Sequence, residues 1–173
     1  MQILNTLTQY DTRMFLWCVN SRHQTMLAKT ARQVSRSGDG YLQVLIPTGL
    51  ALVAGEAGKH LLLATLLAFA IELPIYWILK NSFRRRRPPE AIPSFSSLIT
   101  ASDKFSFPSG HTAAATMLAT LVYLSFGMLA LPLMIWAAMV GASRVILGVH
   151  FPGDILAGAT LGATLAYLSF TVV

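Results

Sequence analysis

Two histidines with polar neighbours at fixed spacings are the residues of this chain best suited to chemistry. His111 ends the run Pro-Ser-Gly-His, and His150 stands four residues before Asp154. One imidazole can attack phosphorus and form a phosphohistidine, while the other protonates the leaving oxygen. A carboxylate beside the attacking ring can fix its tautomer, as in other catalytic triads. We therefore predict His150 as the nucleophile, Asp154 as the residue that orients it, and His111 as the general acid.

Three cationic side chains accompany the histidines. Six residues separate Lys80 from Arg87, and five separate Arg144 from His150. A phosphoryl group in transfer spreads negative charge over its equatorial oxygens, and fixed cations stabilise that charge. Arginine can also grip two oxygens at once. We predict that Lys80, Arg87 and Arg144 bind the phosphate of a substrate.

The segment before His111 offers a second kind of anion site. Ser109 and Gly110 stand at the start of a predicted helix, where backbone N–H groups are unpaired and the helix dipole favours an anion. Gly110 lets the backbone come close to the phosphate, and the Ser109 hydroxyl adds a donor. The residues that complete the three clusters, and are predicted to support the site, are Pro88, Pro108 and Ser143.

These clusters are set in an apolar chain. Of its 173 residues, 54% are apolar and 12% are charged, whereas ordinary soluble domains carry about 25% charged residues. Together with a mean hydropathy of +0.59, this composition predicts an all-α, polytopic bundle of membrane helices, each of about 20 mostly apolar residues. The five candidate spans are Tyr41–Ala57, His60–Leu79, His111–Phe126, Met128–Val149 and Gly153–Val173.

The first 40 residues differ from the rest. Basic and apolar side chains are interspersed over residues 1–40, which predicts amphipathic helices in the membrane interface, with a loose N-terminal arm as the alternative. Residues 41–173 form the predicted transmembrane core. A net charge of +6 is often a sign of nucleic-acid binding, but here the bases flank apolar spans. The predicted partners are therefore membrane lipids and a phosphate-bearing substrate, and not nucleic acid.

The order of the spans predicts that the three clusters meet on one membrane face. The Lys80 cluster follows the second span, the His111 cluster precedes the third, and the His150 cluster lies between the fourth and fifth. Because two spans separate the second cluster from the third, the chain returns to the same face. Topology and chemistry thus agree although neither was used to derive the other.

Several polar or small residues outside the clusters have two interpretations each. Glu72 lies within a span, where we expect it to pair with a polar group of the bundle rather than to act in catalysis. Residues 84–86 either contact a diphosphate or headgroup or form a juxtamembrane basic cluster. Asp103 is expected to be solvated in its loop, with shaping of a pocket mouth as the alternative. Gly158 and Gly162 form a GxxxG pair that predicts packing inside the bundle, with a homo-oligomer contact as the alternative.

Taken together, the three clusters resemble the signature of the type-2 phosphatidic acid phosphatase (PAP2) superfamily, also called the lipid phosphate phosphatases. Its parts K-x6-R-P, P-S-G-H and S-R-x5-H-x3-D occur here in order and without substitution. The resemblance covers the predicted core, residues 41–173. It implies a bundle of about five to six transmembrane helices, no metal or other cofactor, and the residue roles given above.

The resemblance also implies a substrate class and a location. It predicts hydrolysis of lipid phosphate mono- or diesters, of the undecaprenyl diphosphate or phosphatidylglycerophosphate type, in the bacterial inner membrane. A lipid phosphotransferase with the same intermediate and a non-enzymatic anion-binding membrane protein are the alternatives. Every Lys and Arg except Lys59 lies on the face of the clusters, so the positive-inside rule favours a cytoplasmic site. The resemblance favours a site facing the periplasm, which is the orientation we predict.

Overall fold

The apolar spans of the sequence form helices, and 80% of the described residues are helical. The computed structural model describes residues 2–20 and 24–173, and no strand occurs in these ranges. The predicted all-α class is therefore confirmed, while Met1 and residues 21–23 of the predicted N-terminal segment lie outside the described residues. The helices are α1 Gln2–Val19, α2 Gln24–Ser37, α3 Tyr41–Val53, α4 Gly55–Phe83, α5 Pro88–Ala91, α6 Gly110–Phe126, α7 Leu131–Ile146 and α8 Pro152–Val172, with a short 3-10 helix at Gly127–Ala130.

Three stretches of the described chain are long and apolar enough to cross a membrane. They are Gly55–Ala91, Gly110–Ile146 and Pro152–Val172. Helix α3 is also apolar, but its 13 residues extend over about 20 Å, less than the roughly 30 Å of a hydrocarbon core. These lengths support a membrane protein, and the count of five to six transmembrane helices stays a prediction.

The stretch Gly110–Ile146 folds back on itself. Gly127, after the end of α6, takes a left-handed φ of 63°, which glycine adopts without steric cost. Ala115 of α6 and Val140 of α7 then share one buried cluster, whereas a straight helix would hold them about 37 Å apart. The reversal lies at the predicted boundary between the third and fourth spans, and it returns the end of α7 to the start of α6.

Helix α4 carries the first cluster at its C-terminal end. Its 29 residues extend over about 43 Å and include Pro74. The predicted span His60–Leu79 stops one residue short of Lys80, which is buried in the last turns of the helix. The helix ends at Phe83, and the next residue, Arg84, has a left-handed φ of 46°. Lys80 is thereby held on a rigid element while the chain turns towards Arg87.

Small residues bring α6 and α8 into close contact. A Cβ atom added at Gly158 would lie 2.4 Å from the Ser109 carbonyl oxygen, and one added at Gly162 would lie 2.2 Å from that of Ala113. Both distances are far below van der Waals contact, so only glycine fits. The predicted packing of the GxxxG pair inside the bundle is confirmed, and it places the start of α6 beside the start of α8.

The described part of the N-terminal segment is helical and packed on the bundle. Phe15 of α1 is fully buried, with ring centroids 5.1 Å from Phe95 and 5.3 Å from Phe151. In α2, the Ser37 hydroxyl accepts a hydrogen bond of 2.8 Å from the indole N–H of Trp136 in α7. In these ranges the segment is not a loose arm, and its location at the membrane interface stays a prediction.

Candidate active site

The imidazole of His150 lies between a carboxylate and a cation. Its Nδ1 is 3.6 Å from Asp154 Oδ2, and its Nε2 is 3.4 Å from Arg87 Nη1. At 3.6 Å the first contact is longer than a hydrogen bond, yet it directs one ring nitrogen to the acid. The other nitrogen faces Arg87, one of the cations that the sequence assigns to phosphate. The structure therefore brings His150, Asp154 and Arg87 together.

A turn after α7 sets the position of His150. The N–H groups of Val149 and His150 both donate to the Arg144 carbonyl oxygen, at 3.1 and 3.4 Å. Gly148 makes this turn possible because its φ is 77°, and a Cβ there would lie 2.7 Å from the Phe95 ring. The five residues between Arg144 and His150 therefore form the turn that ends α7 and returns the chain to the Arg144 carbonyl.

Asp154 is held by donors from three segments. Its Oδ1 accepts a hydrogen bond of 2.7 Å from Arg85 Nη1. Its Oδ2 accepts one of 2.8 Å from the Phe151 N–H and another from the Ser106 hydroxyl. The carboxylate has no solvent exposure, so these donors replace water and keep it ionised and oriented.

Arg85 and Asp11 form a layer behind Asp154 that sequence reasoning missed. Arg85 Nη2 lies 2.5 Å from Asp11 Oδ2, and Asp11 Oδ1 accepts a hydrogen bond of 2.8 Å from the Gly153 N–H. Neither interpretation offered for residues 84–86 describes Arg85, which faces the buried acid instead of a substrate or lipid. In the sequence Arg85 is one of four consecutive arginines, and Asp11 is one residue of an amphipathic segment, so neither carried a signal.

Asp103 joins the two cations of the first cluster. Lys80 Nζ is 2.6 Å from Asp103 Oδ2, and Arg87 Nη2 bonds Oδ1. The Tyr76 hydroxyl donates to Oδ2 at 2.6 Å. Burial would raise the pKa of Asp103, but the hydrogen bonds from Lys80 and Tyr76 outweigh it and lower the pKa to about 2. Asp103 keeps 34% of its side-chain exposure, but it is paired and borders both cavities, so the alternative, a residue of the pocket, describes it better than a freely solvated loop residue.

The electrostatic surroundings of His150 keep its ring neutral. Its side chain is almost completely buried, and burial lowers its pKa to about 4, with the positive charge of Arg87 acting in the same direction and the Asp154 carboxylate opposing it. A neutral imidazole has a free lone pair at neutral pH, which a nucleophile requires.

Arg144 is a buried cation with unused donor capacity. One terminal nitrogen, Nη1, donates a hydrogen bond of 2.6 Å to the Ser35 hydroxyl in α2. Its Nε is buried and has no partner among the described residues. A buried N–H group without an acceptor is costly, so this arginine is arranged to receive an anion.

His111 and the start of α6 form the opposite wall of the site. His111 Nε2 is 2.8 Å from Asp39 Oδ1, and Asp39 comes from the turn between α2 and α3, a partner that the sequence did not indicate. Gly110 packs against the Tyr76 ring, where a Cβ would lie 2.9 Å from Cε2. Ser109 is buried with its hydroxyl 2.9 Å from that of Thr112. Helix α6 begins at Gly110, so the predicted helix start is confirmed.

A cavity of about 800 Å³ opens beside these residues. Gly110, His111 and Arg144 line it, whereas His150, Asp154, Lys80 and Ser109 are buried and do not line it. Arg87 lines a neighbouring cavity of about 390 Å³, and Asp103 borders both. The full lining of the larger cavity is Arg32, Ser35, Arg36, Gly38, Asp39, Gly40, Phe69, Glu72, Leu73, Tyr76, Leu98, Ile99, Thr100, Ser102, Asp103, Gly110, His111, Ala114, Arg144 and Leu147.

The loop that carries Asp103 is tied to the bundle. The Leu98 N–H donates to the Leu147 carbonyl at 3.0 Å, and the Ser106 N–H donates to the Arg85 carbonyl at 2.8 Å. Arg32 of α2 donates to the Leu98 carbonyl at 2.9 Å. Over the described chain, no group of three or more His, Cys, Asp or Glu side chains is arranged to hold a metal ion.

The chain is similar to known proteins in sequence and in fold. The sequence profile described as PAP2 superfamily matches residues 58–173. The chain is 33% identical over 130 residues to the decaprenylphosphoryl-5-phosphoribose phosphatase of Mycobacterium tuberculosis, covering 75% of this chain and 71% of that protein. The crystal structure of Aquifex aeolicus LpxE matches with a TM-score of 0.77 at 30% identity, covering 92% of this chain and 94% of the other. The PAP2-type phosphatidylglycerolphosphate phosphatase of Bacillus subtilis matches with a TM-score of 0.77 at 27% identity, covering 97% and 86%.

Proposed function

Because this chain belongs to the PAP2 superfamily, we propose that it hydrolyses a lipid phosphate in the bacterial inner membrane through a phosphohistidine at His150. The observation that carries the proposal is the orientation of the His150 ring. One nitrogen faces the buried acid Asp154 and the other faces Arg87, so a phosphate held by the cations would meet the nucleophilic nitrogen. The reaction needs no metal, because the cations supply the charge that a metal ion would otherwise provide.

In the first step, Nε2 of His150 attacks phosphorus and the bond from phosphorus to the lipid oxygen breaks. His111 donates a proton to that oxygen, so the lipid leaves as an alcohol or a shorter phosphate. Asp154 stabilises the positive charge that develops on the His150 ring. Lys80, Arg87 and Arg144, with the Gly110 N–H and the Ser109 hydroxyl, bind the equatorial oxygens.

In the second step, water attacks the phosphohistidine and the bond from Nε2 to phosphorus breaks. His111, now neutral, takes the proton of the water, and inorganic phosphate leaves. The proposed substrates are phosphate esters or diphosphates of the phosphatidylglycerophosphate or undecaprenyl diphosphate type. Transfer to a lipid alcohol instead of water uses the same intermediate and is the alternative that the assay must separate.

The test is phosphate release from a panel of lipid phosphates and diphosphates by purified protein in detergent with EDTA present. We expect turnover in EDTA, loss of at least about a thousandfold with His150→Gln, and a labelled, acid-labile phosphoprotein that is absent in that variant. His60→Gln is the matched control, because His60 is at the opposite end of α4 and packs against Phe170 with ring centroids 4.7 Å apart. Full activity of His150→Gln would refute the proposal, and phosphate found on an added lipid alcohol would assign phosphotransfer.

A further inference from the structure

Glu72 is a buried carboxylate that the proposed mechanism does not use. It is 3% exposed and lines the larger cavity. The sequence predicts a polar partner inside the bundle, but no hydrogen bond or ion pair joins Glu72 to any residue that the structure describes. A carboxylate taken out of bulk water without a donor is costly. Its retention inside a membrane helix therefore points to a donor that comes from outside the protein.

The position of Glu72 relates it to the phosphate site. One face of α4 carries three polar residues at intervals of four, namely Glu72, Tyr76 and Lys80. Side chains of a helix lean towards its N-terminus, and Lys80 accordingly reaches back to the Tyr76 hydroxyl. Glu72 stands about one further turn, roughly 6 Å, beyond Tyr76 along the helix. A ligand whose phosphate is bound near Lys80 would thus need several more atoms to meet Glu72.

The charges of the cavity restrict what that ligand carries. The other two carboxylates of the lining are already paired, Asp39 with His111 and Asp103 with Lys80. Of the three carboxylates, Glu72 is the one without such a partner among the described residues. Arg32, Arg36 and Arg144 line the same cavity, and this positive wall disfavours a cationic group. A second phosphate near Glu72 would meet a like charge. Neutral hydroxyl groups are repelled neither by the arginines nor by Glu72, and they can donate hydrogen bonds to its carboxylate.

We propose that the end of the cavity at Glu72 binds the hydroxyl groups of a sugar-like or polyol headgroup that carries the scissile phosphate. Glu72 accepts hydrogen bonds from these hydroxyls and thereby selects lipid phosphates with a polyhydroxylated headgroup over plain polyprenyl diphosphates. This inference rests on the proposed phosphatase function, whose substrate class it narrows. Phe69, Leu73 and Ala114, which line the cavity near Glu72, would contact the apolar edge of the headgroup.

The experiment compares two synthetic substrates with the same alkyl chain, decyl glucoside 6-phosphate and decyl phosphate. We expect the wild-type protein to prefer the glucoside. Glu72→Leu lowers kcat/KM for the glucoside by about ten- to a hundredfold, the value of a hydrogen bond to a charged group, and changes kcat/KM for decyl phosphate by less than about twofold. Glu72→Gln, which keeps an acceptor oxygen, loses less than Glu72→Leu.

The matched control is Glu56→Gln, the same change at the other end of α4, where Glu56 forms an exposed pair with Lys59; it leaves both substrates unaffected. Thermal unfolding separates binding from folding, because removal of an unpartnered buried carboxylate should not lower Tm. Equal losses on both substrates, or no preference in the wild type, would overturn the inference. Failure of the wild type to release phosphate from any lipid phosphate would overturn the proposed function instead.

Discussion

At the scale of single residues, the orientation of the His150 ring depends on how rigidly Asp154 and Arg87 are held. Asp154 accepts hydrogen bonds from three donors and has no exposure to solvent, so its carboxylate is held in a single orientation. Arg87 approaches from the other side, anchored to the Val149 carbonyl at 2.6 Å and to Asp103. Such preorganisation lowers the reorganisation that a charged transition state requires.

Burial gives His150 a testable protonation state. Since burial lowers its pKa to about 4, we expect the ring to remain neutral from pH 7 down to about pH 5 and to be protonated only as the pH falls through about 4. Imidazole NMR signals of histidine-labelled protein in micelles would show this, with His150→Gln assigning the signal. A midpoint near 6.5, the ordinary value for histidine, would contradict it.

The paired state of Asp103 leads to a prediction for anion binding. Phosphate must share Lys80 and Arg87 with the Asp103 carboxylate. We therefore expect Asp103→Asn to tighten inhibition by inorganic phosphate or vanadate by about tenfold, because a competing charge is removed. Lys104→Gln, a change at the exposed neighbouring residue, should have little effect. Weaker inhibition in Asp103→Asn would show that the carboxylate positions the cations for the anion.

At the scale of elements, α1 reaches the site although the family profile begins at residue 58. Asp11 bonds both Arg85 and the first turn of α8, so α1 helps to fix the helix that carries Asp154. The predicted helix start and turns near the clusters are local properties of sequence. The Asp11 contact is not, because Arg85 lies 74 positions further along the chain.

The Asp11–Arg85 pair should act by positioning Asp154. We expect Asp11→Asn and Arg85→Gln each to lower kcat by about tenfold or more with little change in KM, and to lower stability on the order of 2 kcal/mol because a largely buried pair is broken. Coupling in the double variant would confirm that the two act as a unit. Arg86→Gln, at the exposed neighbour, is the matched control and should resemble wild type.

The close contact of α6 and α8 leads to a second prediction at this scale. Gly158→Ala would place a Cβ 2.4 Å from the Ser109 carbonyl oxygen, forcing the start of α6 away from α8. We expect lower Tm and lost activity from overpacking, with a cost of about 1–3 kcal/mol. Gly49→Ala in α3 is the control, because no described atom lies within 4 Å of the added Cβ. Equal stability of the two variants would show that the helices adjust freely.

At the scale of the whole molecule, one end of the bundle collects nearly all of the charge. Lys80 and Glu56 lie near opposite ends of α4, so their backbones are about 36 Å apart along the helix axis. Of the cations in the part of the chain that the structure describes, only Lys59 lies at the Glu56 end. The N-terminal segment carries five basic residues, and two of them, Arg32 and Arg36, line the larger cavity. The others have no link to phosphate binding, which is the reason for testing the orientation directly.

We expect the site to face the periplasm. Two single-cysteine variants test this in a Cys18→Ser background. Ser96→Cys places the thiol in the loop of the site, and Glu56→Cys places it at the opposite end of α4. Both positions are exposed. A membrane-impermeant maleimide should modify Ser96→Cys in intact spheroplasts and Glu56→Cys only after permeabilisation. The reverse pattern would place the site in the cytoplasm, as the positive-inside rule suggests.

The sequence alone was enough to predict the helical class, the reversal near Gly127, the helix start at Gly110 and the meeting of the clusters. These predictions follow from hydropathy, from the positions of glycines and from the number of spans between two clusters. Each of these can be read from a short segment or by counting along the chain. The proposed roles of the clustered residues stay predictions until they are tested by mutation.

Tertiary structure decided which charged residues meet. Asp103, Asp39 and Arg85 bond to motif residues, and Asp11 bonds to Arg85. Among the described residues, Glu72 has no hydrogen-bond or ion-pair partner. No local pattern distinguishes these residues from solvated ones, because a carboxylate in a loop or an arginine in a basic run looks the same in either setting. Their partners are set by how helices distant in the chain pack, and packing depends on the whole fold at once.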